Sequence, residues 1–176
     1  MLRKELCIVV ALLPLFGCSQ IYLYEPVSGG QVVKLQENYT DVAALQIENS
    51  RFRVRIAGFL SGAPKFALEI ENKTNQDLSF DATQISGQLV EKDIALPVVH
   101  CYKPPANKFV TDTTDFEKPC ENQIKAGQMQ KRYIYLAKFP ESFKQYGKPV
   151  RTHHIRLTAA PKSGLEMNCL FKLTEG

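Results

Sequence analysis

The sequence predicts an all-β fold, and three observations lead to that prediction. Several short segments alternate apolar and polar residues with a period of two, the pattern of half-buried antiparallel strands. Turn-forming residues separate these segments. No long stretch carries an apolar stripe with the 3.6-residue period of a helix. Short strands separated by turns are typical of a β-sandwich or a β-barrel.

The first residues have the parts of a secretory signal peptide. Arg3 and Lys4 form a positive n-region, and Leu6 to Phe16 form an uncharged, mostly aliphatic stretch. This stretch is much shorter than the ~20 residues that a transmembrane helix needs. Residues 1–17 are therefore predicted to be a signal peptide that is removed on export.

The end of this segment, Leu15-Phe16-Gly17-Cys18, resembles the lipobox of bacterial lipoproteins. The resemblance implies cleavage after Gly17 and lipid modification of Cys18, so the membrane is the first predicted partner. Ser19 follows Cys18, which by analogy with the sorting of Gram-negative lipoproteins favours an outer-membrane location facing the periplasm. The alternatives are an ordinary signal peptide with a chance cysteine and a cytosolic protein.

The mature chain has the size of one domain. Removing residues 1–17 leaves 159 of the 176 residues, and we predict a tether over 18–30 and a single domain over 31–176. The net charge falls from +4 to +3 when Arg3, Lys4 and Glu5 leave. This mild charge is spread along the chain and does not indicate nucleic-acid binding.

Two segments show the strand pattern most clearly. Arg51 to Ile56 places three apolar residues on one face, and Lys65 to Glu71 does the same with Phe66, Leu68 and Ile70. Weaker alternation predicts earlier strands at Val32 to Leu35 and Val42 to Ile47. A helical turn is predicted at Pro140 to Tyr146. The remaining strand candidates are Leu78 to Phe80, Ile85 to Val90, Ile94 to Val99, Met129 to Leu136, Val150 to Ala159 and Glu166 to Leu173.

One strand–turn–strand segment resembles a known family. Phe66-Ala-Leu-Glu-Ile-Glu-Asn72-Lys-Thr74, followed by Leu78-Ser-Phe80-Asp81, is similar to part of the immunoglobulin-like domains of bacterial envelope lipoproteins. Ile124 to Gly127, leading into Met129, is similar to their second half. The resemblance implies an antiparallel Ig-like β-sandwich, and it implies a fold without an activity.

A row of three arginines is a candidate for partner binding. Arg51, Arg53 and Arg55 lie on one face of a predicted strand, ~6.6 Å apart at two-residue spacing. Guanidinium groups suit phosphate or carboxylate recognition, so the row could bind an anionic surface. The alternative is an ordinary solvated strand face whose charge is balanced by Glu69 and Glu71.

The mature chain has three cysteines besides Cys18: Cys101, Cys120 and Cys169. Export to an oxidising compartment favours a disulfide, and three pairings are possible. We favour Cys101–Cys120 because the two residues bracket one loop-like stretch, with Cys169 as a small buried hydrophobe. Long loops are often functional, and this one carries Tyr102, Phe109 and Phe116 as candidate partner-binding anchors. Alternatively, these aromatics pack onto the edge of the domain.

No motif indicates catalysis, a metal or a cofactor. The adjacent His153 and His154 point to opposite faces of a strand, and Ser61 and Ser163 lack the Gly-x-Ser-x-Gly setting of a hydrolase. We therefore predict a non-enzymatic lipoprotein that binds an envelope protein or a glycan, with no nucleic-acid partner. The alternatives are a periplasmic carrier of a small ligand or metal, and a periplasmic enzyme or enzyme inhibitor.

Overall fold

The computed structural model describes residues 22–37, 40–103, 120, 122–145, 148–149, 152–160 and 165–173. Within them the chain forms strands and short 3-10 turns, the latter at Ala82–Gln84, Val90–Lys92 and Glu141–Phe143. The strands are β1 Tyr22–Ser28, β2 Gln31–Glu37, β3 Thr40–Glu48, β4 Phe52–Ser61, β5 Ala63–Asn72, β6 Leu78–Ser79, β7 Ile85–Leu89, β8 Ile94–Tyr102, β9 Gln123–Ile124, β10 Met129–Leu136, β11 Lys144–Gln145, β12 Lys148–Pro149, β13 His153–Ala159 and β14 Met167–Leu173.

The all-β prediction is confirmed, and the period-two pattern sets which side chains are buried. In β4 the apolar residues Phe52, Val54 and Ile56 are fully buried, as are Phe66, Leu68 and Ile70 in β5. Arg53 and Arg55 lie on the other face of β4 and are partly exposed. β7 and β8 pair as a hairpin that turns through Val90–Lys92 and Asp93, which has the left-handed φ of 53°.

The prediction of an Ig-like sandwich is wrong, because the sheet closes on itself. The strand order runs β1-β14-β13-β7-β8-β10-β5-β4, and β4 pairs with β1 in turn, which makes a closed eight-stranded β-barrel. Closure depends on β4. One edge of β4 pairs with β5, and its other edge pairs partly with β3 and partly with β1. Arg53 to Ile56 pair with β3, and Gly58 to Leu60 pair with Tyr22 to Tyr24 of β1. Closing the ring removes the two open edges that a sheet otherwise presents.

The predicted tether over 18–30 is wrong in its second part. Tyr22–Ser28 is the barrel strand β1, which pairs with both β14 and β4. In the structure Pro26 lies at an irregularity of the pairing with β14, where a strand tolerates the missing amide proton.

The barrel interior is filled by side chains. Tyr24, Phe52, Phe66, Phe80 and Phe171 are all essentially inaccessible to solvent. Eight strands enclose a space just wide enough for side chains or for one small ligand. Room for the aromatics comes from Gly58, where an added Cβ would lie 2.6 Å from a ring carbon of Phe66.

The β2–β3 hairpin makes a second, smaller core outside the barrel. Its Leu35, Val42 and Ala44 are buried against outward-facing residues of the barrel wall, namely Ala57 and Phe59 of β4, Ala67 of β5 and Tyr133 of β10. The hairpin therefore covers the middle of this wall with apolar contacts.

The two barrel ends are closed differently. The N-terminal end, where Tyr22 pairs with Leu60 beside the β4–β5 turn, is closed by Phe139 and Phe143 packing around His153. At the opposite end lies Asn72, whose side chain donates a hydrogen bond to the carbonyl of Ile124 in β9. β9 in turn pairs with β6. The predicted helical turn at Pro140 to Tyr146 is a single 3-10 turn at Glu141–Phe143, followed by β11.

Candidate functional site

The Cys101–Cys120 disulfide predicted from the sequence is confirmed. It joins the end of β8 to a residue 19 positions later, with the two Cα atoms 5.5 Å apart. Cys169 is a buried free cysteine in β14, as predicted, and burial raises the pKa of its thiol to about 12. Tyr102 is the last residue of β8, while Phe109 and Phe116 lie outside the described residues.

Tyr102 belongs to an aromatic cluster on the outer wall. Its ring centroid lies 5.2 Å from that of Tyr133 and 5.6 Å from that of Tyr135, and its hydroxyl lies 3.2 Å from the Tyr135 hydroxyl. The ammonium of Lys65 lies 4.0 Å from the Tyr133 ring centroid and within 6 Å of the other two. We call these four residues the tyrosine patch. It combines the buried ring of Tyr133 and the partly exposed rings of Tyr102 and Tyr135 with a positive charge, which suits recognition of a partner.

A buried carboxylate of the β2–β3 hairpin contacts the patch. Glu37, at the end of β2, is 6% exposed; its Oε1 accepts a hydrogen bond from the Tyr133 hydroxyl and its Oε2 pairs with Lys131. Burial, and then the hydrogen bond to this carboxylate, raise the pKa of Tyr133 well above its usual value. Because Tyr133 stays protonated, its hydroxyl continues to donate a hydrogen bond to Glu37 and links the patch to the β2–β3 hairpin.

Most residues of the tyrosine patch were not predicted from the sequence as partner-binding residues. Of its members only Tyr102 was predicted. The alternation in β10 already places Lys131, Tyr133 and Tyr135 on one face, and that signal could have identified them. Their proximity to Lys65 depends on the register between β10 and β5, in which Tyr135 lies opposite Lys65.

The arginine row lies on the outer wall, and two of its members form ion pairs with glutamates. Arg53 forms ion pairs with Glu48 and Glu71, at 2.7 and 2.9 Å. Arg55 pairs with Glu69 at 2.8 Å. Arg51 lies with its guanidinium carbon 5.7 Å from the Phe52 ring centroid. The contacts to Glu69 and Glu71 are those expected of a balanced strand face, and exposed pairs of this kind contribute little to stability.

The three histidines lie apart in the fold. His153 is fully buried inside the barrel, and His154, on the outer face, pairs with Glu91. His100 is exposed on β8. Within the described residues no three side chains of the metal-ligating types come together. Cys18 and the rest of the predicted signal peptide and lipobox lie outside the described part of the chain.

Tyr24 contributes a pH dependence to the stability of the barrel. Its hydroxyl lies 2.8 Å from Nε2 of His153 inside the core. Burial, and secondly the charge of Glu91, raise its pKa well above the usual 10.0. Since the folded-state pKa is raised, the stabilisation is fully present below pH 10 and is lost as the pH rises above that value.

We therefore expect the free energy of unfolding to fall above pH 10 in the wild type, and Tyr24→Phe to reduce the slope. One tyrosine that ionises only in the unfolded chain contributes a slope of about 1.4 kcal/mol per pH unit. Urea unfolding at a series of alkaline pH values measures this slope. Equal slopes for the two proteins would contradict the assignment to Tyr24.

The part of the chain that the structure describes contains no helix with the length and apolarity needed to cross a membrane. No known family model, curated protein or solved structure matches this chain significantly.

Proposed function

We propose that this protein is a lipoprotein of the cell envelope, anchored through Cys18, whose barrel is a non-enzymatic binding module for an envelope protein or a glycan. The lipobox resemblance at Leu15-Phe16-Gly17-Cys18 supports the anchor and, with Ser19, an outer-membrane location facing the periplasm. Two or more acyl chains at Cys18 would make the attachment stable where a single chain would not.

The observation that carries the binding role is the place on the barrel where the segment between Cys101 and Cys120 begins. The disulfide holds both of its ends, and its first residue, Tyr102, is part of the tyrosine patch. A disulfide between the ends of a segment limits the conformations open to it, which lowers the entropy that binding a partner costs. The neighbouring rings supply rigid contact area of the kind that dominates interface energies.

The filled interior favours a binding surface over internal carriage of a ligand. Large aromatic side chains occupy the core, and the site lies on the outer wall beside the loop. A binding surface would lie on the outer wall, whereas a carrier would hold its ligand in the interior. Substitutions on the wall therefore distinguish the two.

Crosslinking of the full-length protein in cells, followed by mass spectrometry, tests this proposal. We expect a dominant crosslinked partner that is lost in Tyr102→Ser and when residues 104–119 are replaced by a short Gly/Ser linker. Leu170→Ser is the matched control, because Leu170 is a half-buried apolar residue on β14, away from the patch. Recovery of bulk lipids and abundant neighbours alone, or equal loss in the control, would overturn the binding role.

A further inference from the structure

A second row of residues crosses the same outer wall near the N-terminal end of the barrel. Leu23 lies opposite Phe59, Phe59 opposite Lys65, Lys65 opposite Tyr135, and Tyr135 opposite His100. Residues opposite each other in a sheet point to the same face, so one row runs across β1, β4, β5, β10 and β8. We call these five residues the rim row.

The rim row combines apolar, aromatic and basic side chains and contains no acid. Leu23 is 46% exposed, and Val99, next to His100, is 50% exposed. Lys65 is half-exposed, and its charged end contacts only the rings of the tyrosine patch within the described residues. Phe59 is 8% exposed because the β2–β3 hairpin packs over it, so the accessible part of the row is formed by Leu23, Lys65, Tyr135 and His100.

The wall formed by β14, β13 and β7 is different at the same end of the barrel. There Glu25 of β1 lies opposite Lys172, and Lys172 lies opposite His154. His154 is in turn paired with Glu91. The two sides of the barrel therefore differ: one is amphipathic and basic, and the other is polar with balanced charge.

The N-terminal strand determines which side comes near a membrane. Cys18 precedes Tyr22 by four residues, and an extended chain of that length spans at most ~14 Å. Tyr22 is held at the N-terminal end of the barrel by its pairing with Leu60, and Leu23 of the rim row follows it directly. An acyl anchor at Cys18 would therefore place this end of the barrel within that distance of the bilayer surface.

We propose that the rim row lies against the headgroup region of a bilayer containing anionic phospholipid, so that the anchored barrel adopts one orientation. This inference rests on the proposed function, since it requires the acyl chains at Cys18. Tyrosine and lysine suit this region because each has an apolar body and a polar tip. Tyr102 lies opposite Tyr133, two residues from Tyr135 of the rim row, so this orientation holds the base of the loop beside the bilayer surface.

Site-specific quenching of the full-length, acylated protein tests the orientation. A fluorophore is attached at Leu23→Cys, Val27→Cys or Arg156→Cys, and the protein is placed in vesicles of phosphatidylethanolamine and phosphatidylglycerol with a headgroup-labelled nitroxide lipid. Val27 is the matched control: it is 49% exposed on the same strand and ~13 Å further along it. Arg156 lies on β13, on the other side of the barrel. Cys169 is buried and Cys101 and Cys120 are paired, so these thiols should not react.

We expect quenching at position 23 to be several-fold stronger than at positions 27 and 156. Lys65→Glu should lower the quenching at position 23, and Arg156→Glu should leave it unchanged. Intact-mass measurement of the same samples separates the two proposals. Acylated protein with equal quenching at the three positions would overturn the orientation and leave the anchor standing. Protein without acyl chains would overturn the proposed function and this inference with it.

Discussion

Asn72→Ala is expected to lower the free energy of unfolding by about 3 kcal/mol, since it removes all the hydrogen bonds of a fully buried amide and leaves the buried carbonyl of Ile124 without this donor. The Asn72 side chain is fully buried. Its Nδ2 donates to the carbonyls of Gln76, Ile124 and Lys125, at 2.7, 3.0 and 3.2 Å. Its Oδ1 accepts hydrogen bonds from the backbone amide and the hydroxyl of Thr74. One side chain therefore connects the β5–β6 turn to the segment around β9.

Urea unfolding followed by circular dichroism measures this effect. Asn168→Ala is the control, because Asn168 is exposed on β14 and its loss should change stability by less than about 0.5 kcal/mol. Equal losses for the two variants would show that the carbonyls around Asn72 find other partners, such as water. The Asn-x-Thr pattern that suggested an Ig-like domain is thus explained by a local turn, which a barrel can use equally well.

Removing the disulfide with the double substitution Cys101→Ser and Cys120→Ser is expected to cost about 3 kcal/mol of stability in the chain-entropy model. The bond joins two cysteines that are 19 positions apart in the sequence. Without it, the unfolded chain has more conformational freedom. It should also weaken the crosslink to the proposed partner, because the loop would lose one of its two fixed ends while its residues remain.

Reducing agent provides the internal comparison for the disulfide. It should lower the stability of the wild type by the same amount and leave the double variant unchanged. Cys169→Ala should remain as sensitive to the reductant as the wild type, since Cys169 is a buried free cysteine. A double variant as stable as the oxidised wild type would contradict this account.

Strand positions and buried faces could be predicted because alternation is a local property. The sequence around Phe52 and Phe66 identifies the inner face of β4 and β5 without reference to any other strand. β1 lies within the stretch predicted to be a tether, and it contains Pro26, a residue that strands seldom contain away from edges and irregularities. Only its pairing with β4 and β14 makes this stretch a barrel strand.

The candidate site was predicted at its disulfide and at Tyr102, and missed elsewhere. Cysteine spacing and an aromatic-bearing loop are visible in the chain itself. That Tyr102 contacts Tyr133, or that Lys65 lies over both rings, depends on the register of β8, β10 and β5. A shift of one residue in any of these strands would turn the side chains to the other face.

The sequence by itself predicted the all-β class and the buried faces of the main strands, and it favoured the cysteine pair that forms. The tertiary structure alone decided that the sheet closes, because closure requires residues 22–24 to pair with residues 58–60. A sandwich and a barrel present the same alternation along each strand and differ only in which strand edges meet. That choice depends on how one edge of β4 is divided between β1 and β3, and on the register between strands that are far apart in the chain. A local sequence pattern encodes neither of these.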